Sequence, residues 1–229
     1  MSDFKNISAD EALSKLKLGN RFYINATTNI GNISQKLREE TYEKGQHPYA
    51  IVVTCSDSRV IPESIFCASI GDLFTIRVAG NVIDDHQLGS IEYAKGHLGC
   101  NLIVVMGHTH CGAIEAAMHG AGDDEEGSYI ASITDIIRHA IHGEIDDYNA
   151  CFLNVKNSVQ EIEKSQVIAK AEKEEGLKVV GAIYHIEDGH VEFLRSKRRN
   201  VEWVNQEDPN LKQGDIKMQD EIDKQKGNA

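Results

Sequence analysis

Residues 102 to 113 read LIVVMGHTHCGA: five apolar side chains in a row, a glycine, then two histidines and a cysteine within four positions. An apolar run with no polar alternation predicts a strand buried on both faces, here Leu102–Gly107, as in a parallel sheet sandwiched between helices. Polar groups crowded at the tip of such a strand cost desolvation unless they find partners. A helix is expected to follow, from about Cys111 to Met118.

Outward from this strand the chain alternates in type. Upstream, Tyr49–Thr54 is an apolar strand, Pro62 sits where a short helix would begin, and Leu73–Val78 reads as another strand. His86–Leu98 has helical apolar spacing at Leu88, Ile91, Ala94 and Leu98. Downstream, helices are expected from about Ser128 to Glu174, with a break at Gly143. Lys178–Tyr184 and His190–Leu194 read as strands joined by a turn at residues 187–189, EDG. The expected fold is α/β: a mostly parallel central sheet of four strands plus an antiparallel edge strand, with helices on both faces. An N-terminal helical arm, about residues 1–45, is expected to precede it. Ser8 and Glu11 resemble a capping box opening a helix to about Ala26, and a more polar helix spans roughly Ser34 to Lys44 before Gly45. No internal repeat or linker appears, so residues 1–204 form one domain and residues 205–229 a polar, flexible tail.

With 24 basic and 36 acidic residues the formal net charge is −12, the wrong sign for a nucleic-acid partner. The cluster of Arg195 with Lys197, Arg198 and Arg199 does not reverse that balance and reads as a solvated loop. The acidic stretch GAGDDEEG at 120–127 reads as a solvated tip, because a calcium loop wants more regularly spaced oxygens. The first twenty residues carry no apolar core of a secretion signal, and nowhere do eighteen apolar residues run together, so a membrane partner is not expected. Five cysteines at scattered positions argue against a disulfide framework and for a reducing, cytoplasmic location.

Two predicted strand tips carry the chemistry. One is CSDSRV at 55–60, offering Cys55, Asp57 and Arg59; the other is GHTHCGA at 107–113. Ligand sites in parallel α/β sheets lie at the carboxyl ends of strands, where both groups fall. Two thiolates and one imidazole suit Zn²⁺, and three protein ligands leave a fourth position open, as in catalytic zinc sites. The bland alternative for each cysteine alone is a small core residue. The spacing leaves the imidazole open between His108 and His110. Arg59 can hold Asp57 ionised in a bidentate pair, and Ser56 and Ser58 can cap turn amides. Cys67, Cys100 and Cys151 read as packing or surface thiols.

Taken together, these two motifs resemble those of the β-class carbonic anhydrases. GQHPYAIVVTCSDSRVIPE, GDLFTIRVAGNVI, GSIEYA and GAIYHIEDG recur in that family's order and spacing, over roughly residues 45–118 and 178–195. The resemblance implies one Zn²⁺ per chain on Cys55, His108 and Cys111. It implies reversible hydration of carbon dioxide to bicarbonate and a proton, by a zinc-bound hydroxide that Asp57, held by Arg59, orients. Two thiolate ligands should keep the water's pKa high, so activity should rise on the alkaline side. Gln46 and Val52 are similar to the plant-type subgroup; Arg77 and Tyr184 match two members of another subgroup's bicarbonate site, whose tryptophan Val52 replaces. Gln46, Phe74, Ala79, Val82, Tyr93 and Gly112 match substrate-facing positions, though core packing would explain several of them equally well. A homodimer is the implied minimum, with N-terminal helices laid across the partner, and a homotetramer the next assembly. The nearest rival activity is hydrolysis of carbonyl sulfide or carbon disulfide on the same scaffold.

Overall fold

The computed structural model describes residues 6–26, 28, 31–120 and 128–194. The acidic stretch at 121–127, the basic cluster and the expected C-terminal tail lie outside the described residues. Two helices open the chain, α1 (Ala9–Ile24) and α2 (Gln35–Lys44). Then come β1 (Ala50–Thr54), α3 (Pro62–Ile65), β2 (Leu73–Arg77), a 3₁₀ turn (Ala79–Asn81), α4 (Asp85–Leu98), β3 (Leu102–His108) and α5 (Gly112–His119). Three helices, α6 (Ala131–Ile141), α7 (Asp147–Glu163) and α8 (Gln166–Glu174), precede β4 (Lys178–Tyr184) and β5 (Val191–Phe193).

The sheet order is β2-β1-β3-β4-β5, with the first four strands parallel and β5 antiparallel to β4. This is the predicted architecture. Side chains alternate across the pleat, so Ile51 and Val53 of β1 face one layer while Ala50 and Val52 face the other. The first layer is built by α4 to α8, with Ile91, Ile114, Ile137, Val155 and Ile168 buried against the sheet. The second is built by α1 and α3, with Leu16, Ile65 and Phe66 fully covered.

Sequence and structure agree closely on the caps. Ser8 and Glu11 do form a capping box, and Pro62 does open α3. Asp84 with Gln87 makes a second capping box that starts α4 one residue before the expected His86. β3 runs one residue further than its apolar run, because His108 still pairs with Tyr184 of β4. The helical arm divides. α1 docks one face on this chain's own sheet, where Asn20 donates to the Gly189 carbonyl and accepts from Val191 N–H. α2 buries no residue.

Candidate metal centre

β1 is flanked by β2 on one side and β3 on the other, so the chain reverses direction of travel across the sheet between β1 and β3. Crevices at such switch points, outside the carboxyl ends of the strands, are where open α/β sheets bind ligands. Cys55 follows the last residue of β1, His108 is the last residue of β3, and Cys111 is the N-cap of α5. The fold therefore brings Cys55 to the His108–Cys111 turn, more than fifty residues further along the chain.

Their ligand atoms all lie within 4.8 Å of one another, and all three residues are buried. The Cys55 and Cys111 sulfurs are 4.0 Å apart. Two thiolates at the usual Zn–S length on a tetrahedral ion would be about 3.8 Å apart. His108 Nδ1 lies 2.9 Å from the Thr109 carbonyl oxygen, which can only accept, so the proton sits on Nδ1 and Nε2 presents its lone pair. That Nε2 is buried with no hydrogen-bond partner. An orphaned imidazole nitrogen beside two thiols is what a soft divalent cation such as zinc would satisfy. Among the described residues no other group of this kind gathers. His110, the spacing alternative, is turned away at φ 54°.

The electrostatics favour thiolate at Cys55. The Cys111 thiol donates to it, and with His108 and the N–H groups of Gly80 and Asp57 this overcomes burial and pulls Cys55 down to about 4. Cys111 is pushed up in turn, first by holding the shared proton against Cys55 and then by burial. Burial opposes a charged His108, but the Cys55 sulfur, the Thr109 carbonyl and the Cys55 and Asp57 charges together raise it above its ordinary value. A dication in the centre would replace the shared proton.

Asp57 stands beside the cluster, its Oδ2 4.0 Å from His108 Nε2. Arg59 grips it twice, Nε to Oδ1 at 3.0 Å and Nη2 to Oδ2 at 2.8 Å, while the Arg59 backbone N–H donates to Oδ1 at 2.9 Å. Hydrogen bonding from Arg59, against a smaller opposing effect of burial, holds the carboxyl down at about 2. The turn is thus capped by Asp57 itself rather than by the hydroxyls of Ser56 or Ser58.

The other predicted site residues fall at varying depths. Val82 is buried beside the 3₁₀ turn, Ala79 and Phe74 are half-buried, and Gly112 is exposed at the start of α5. Tyr93 is exposed and packs its ring between Phe74 and His97. Gln46 precedes β1, at the amino end of the sheet, so within one chain the fold does not bring it to the cluster. Arg77 donates to the Cys55 carbonyl at 3.1 Å and the Asp57 carbonyl at 2.7 Å, and the Tyr184 hydroxyl lies 3.0 Å from that of Tyr23. Both residues are therefore engaged within the fold. Cys100 and Cys151 are buried packing thiols, as expected.

Sequence reasoning missed several supports. Gly80, at φ 67°, donates its N–H to the Cys55 sulfur at 3.3 Å. Its carbonyl accepts from Asn154 of α7 at 2.7 Å. A side chain at Gly80 would approach the Ile137 methyl to 2.6 Å, so glycine is required both by conformation and by space. The only hint in the sequence was the glycine itself, two residues past a strand.

Comparison with known proteins agrees with this geometry. The carbonic anhydrase family model matches residues 50–191, a span holding all three donors and the Asp57–Arg59 pair. A carbonic anhydrase of Mycolicibacterium smegmatis is 37% identical over 168 residues, covering 69% of this chain and 80% of that protein. Carbonic anhydrase 2 of Mycobacterium tuberculosis is 34% identical, covering 69% and 79%. Among solved structures, the β-carbonic anhydrase CcaA superposes with a TM-score of 0.65 at 27% identity, over 75% of this chain and 90% of that one. The Coccomyxa β-carbonic anhydrase in complex with acetazolamide gives 0.58 at 28%, over 69% and 79%. The strand-end donors and these likenesses point one way: the chain belongs to the β-class carbonic anhydrases.

Proposed function

We propose that this carbonic anhydrase hydrates carbon dioxide reversibly with one zinc ion per chain on Cys55, His108 and Cys111, assisted by Asp57 and Arg59. The observation that carries this reading is the buried His108 Nε2, without a hydrogen-bond partner, beside two sulfurs and a clamped carboxylate. Zinc, when bound, supplies positive charge that acidifies a water molecule and readies it as a nucleophile near neutral pH, carbonic anhydrase being the standing example of that effect.

The chain's own residues do the rest. Asp57, ionised at any pH where the enzyme works, accepts the hydrogen bond of the attacking oxygen and so aims its lone pair. Arg59 holds that carboxylate in one orientation and keeps it from taking up the proton. Gly80 and Asp57 N–H groups steady the Cys55 sulfur at 3.3 and 3.4 Å. Two thiolate donors leave less positive charge on the centre than neutral imidazoles would, so kcat/KM should climb between pH 7 and 9.

The test is stopped-flow carbon dioxide hydration across that range, with zinc measured on the same sample. Asp57→Asn should keep a full equivalent of zinc and lose about a hundredfold or more in kcat. Near-normal turnover in the zinc-replete variant would remove Asp57 from the mechanism. Faster sulfide release from carbonyl sulfide or carbon disulfide than hydration of carbon dioxide would favour the hydrolase reading.

The same reading includes a homodimer. Support comes from α2, which buries nothing, and from the outer edge strand β2, whose Leu73, Phe74 and Ile76 stay half-exposed. Sedimentation should give at least twice the 25.4 kDa chain mass. No described helix is long and apolar enough to cross a membrane.

A further inference from the structure

Asp147 opens α7, thirty-seven residues beyond His110. Its two carboxylate oxygens both accept from one donor, the His110 backbone N–H, at 3.1 Å to Oδ1 and 2.9 Å to Oδ2. His110 is one of four non-glycine residues with positive φ among those described, a conformation that costs free energy unless its surroundings hold it. The His110 carbonyl, at the other end of the same residue, accepts from Arg59 Nη2 at 3.2 Å. That guanidinium nitrogen is the one that also holds Asp57 Oδ2.

Capping of the helix does not account for Asp147. The N-cap of α7 is Asp146, whose side chain accepts from Asn149 N–H at 2.9 Å. Nor is the anchor loose. α7 lies hard against the sheet because Gly107 of β3 and Gly181 of β4 have no side chains: a Cβ on Gly107 would come within 2.6 Å of Val155. A carboxylate on the first turn of such a helix is also favoured by the helix dipole.

We propose that Asp147 is a positioning residue for the reaction. It holds the strained His110 turn so that the His110 carbonyl meets Arg59, and Arg59 in turn fixes Asp57 beside the centre. The chain of contacts is Asp147 to His110, His110 to Arg59, and Arg59 to Asp57, with no contact between Asp147 and substrate. This inference rests on the Asp57–Arg59 reading given above.

A double-mutant cycle on the zinc-loaded enzyme tests it, using Asp147→Ala and Asp147→Asn, each alone and with Arg59→Ala. Asp147→Ala should retain zinc against a competing chelator, leave KM within about twofold and lower kcat about tenfold, the scale expected when a reacting group is misplaced. Asp147→Asn, which keeps one acceptor oxygen, should lose only about threefold. In the Arg59→Ala background neither change should lower kcat further. Exchange of the His110 amide proton, followed by NMR, should quicken at least about tenfold in Asp147→Ala and less in Asp147→Asn. Additive losses in both backgrounds, or an unchanged amide exchange rate, would overturn the positioning role while leaving the Asp57–Arg59 reading intact. Normal kcat in Arg59→Ala alone would overturn that reading and this inference with it. If Asp147→Ala does not fold, the Asp147→Asn cycle decides the question on the same criteria.

Discussion

His108 is ready to bind a metal before any metal arrives. Its neighbour's carbonyl takes the Nδ1 proton, its own backbone still pairs in β3, and its Nε2 points at two sulfurs. Asp57 has a comparable local logic, since Arg59 two residues on supplies both a backbone and a side-chain donor. The carboxyl is held at about 2, below its ordinary value of 3.8, so ionisation favours the folded state. That stabilisation is fully present above about pH 4 and is lost as pH falls through 2. The stability difference between wild type and Asp57→Asn, from urea unfolding, should therefore be largest near pH 6 and shrink below pH 3. A constant difference down to pH 2 would contradict the clamp. Spacing left His108 level with His110, whereas Cys55, Asp57, Arg59 and Cys111 were legible because each sits in a short local pattern at a strand end. Arg77, Gly80 and Asp147 were not, because what each does depends on a partner twenty or more residues away.

Elements were placed by periodicity and capping chemistry, and most boundaries fell within a residue or two of expectation. The exception in kind is α1, whose apolar face was evident but whose docking surface was not. It settles on its own sheet because Gly19 lets it approach the end of α3. A Cβ there would lie 1.9 Å from the Phe66 carbonyl oxygen, a backbone atom that cannot move aside cheaply. Gly19→Ala should thus cost about 3 kcal/mol, the upper range for overpacking, despite alanine's better helix propensity. Thermal unfolding of the variant measures this; a raised Tm would show that α1 does not pack as described. The two strand glycines under α7 are a similar case, reading as flaws in β-strands until a helix is laid over them.

At the scale of the whole molecule, a metal on the three donors would couple binding to stability. The three donors come from two strand ends and one helix cap, so an ion bound by all three ties β1, β3 and α5 together. Stripping zinc with a chelator should lower Tm by about 5 °C or more, and adding zinc back should restore it, because the ion binds only the assembled site. An unchanged Tm after verified zinc removal would mean that the centre is held open by the sheet alone.

The order of strands and helices, the buried character of β1 and β3, and the two cysteine donors were written in the chain, because periodicity and local motifs depend on neighbours within a few residues. The choice of His108 over His110 came from likeness to a family rather than from spacing, and the fold supplies its cause: one imidazole ends a strand aimed into the crevice, the other turns away at positive φ. Which helix covers which face, and which remote side chains brace Cys55 and Arg59, emerged only on folding. Those contacts join residues whose separation along the chain carries no periodic signal, and packing alone brings them together.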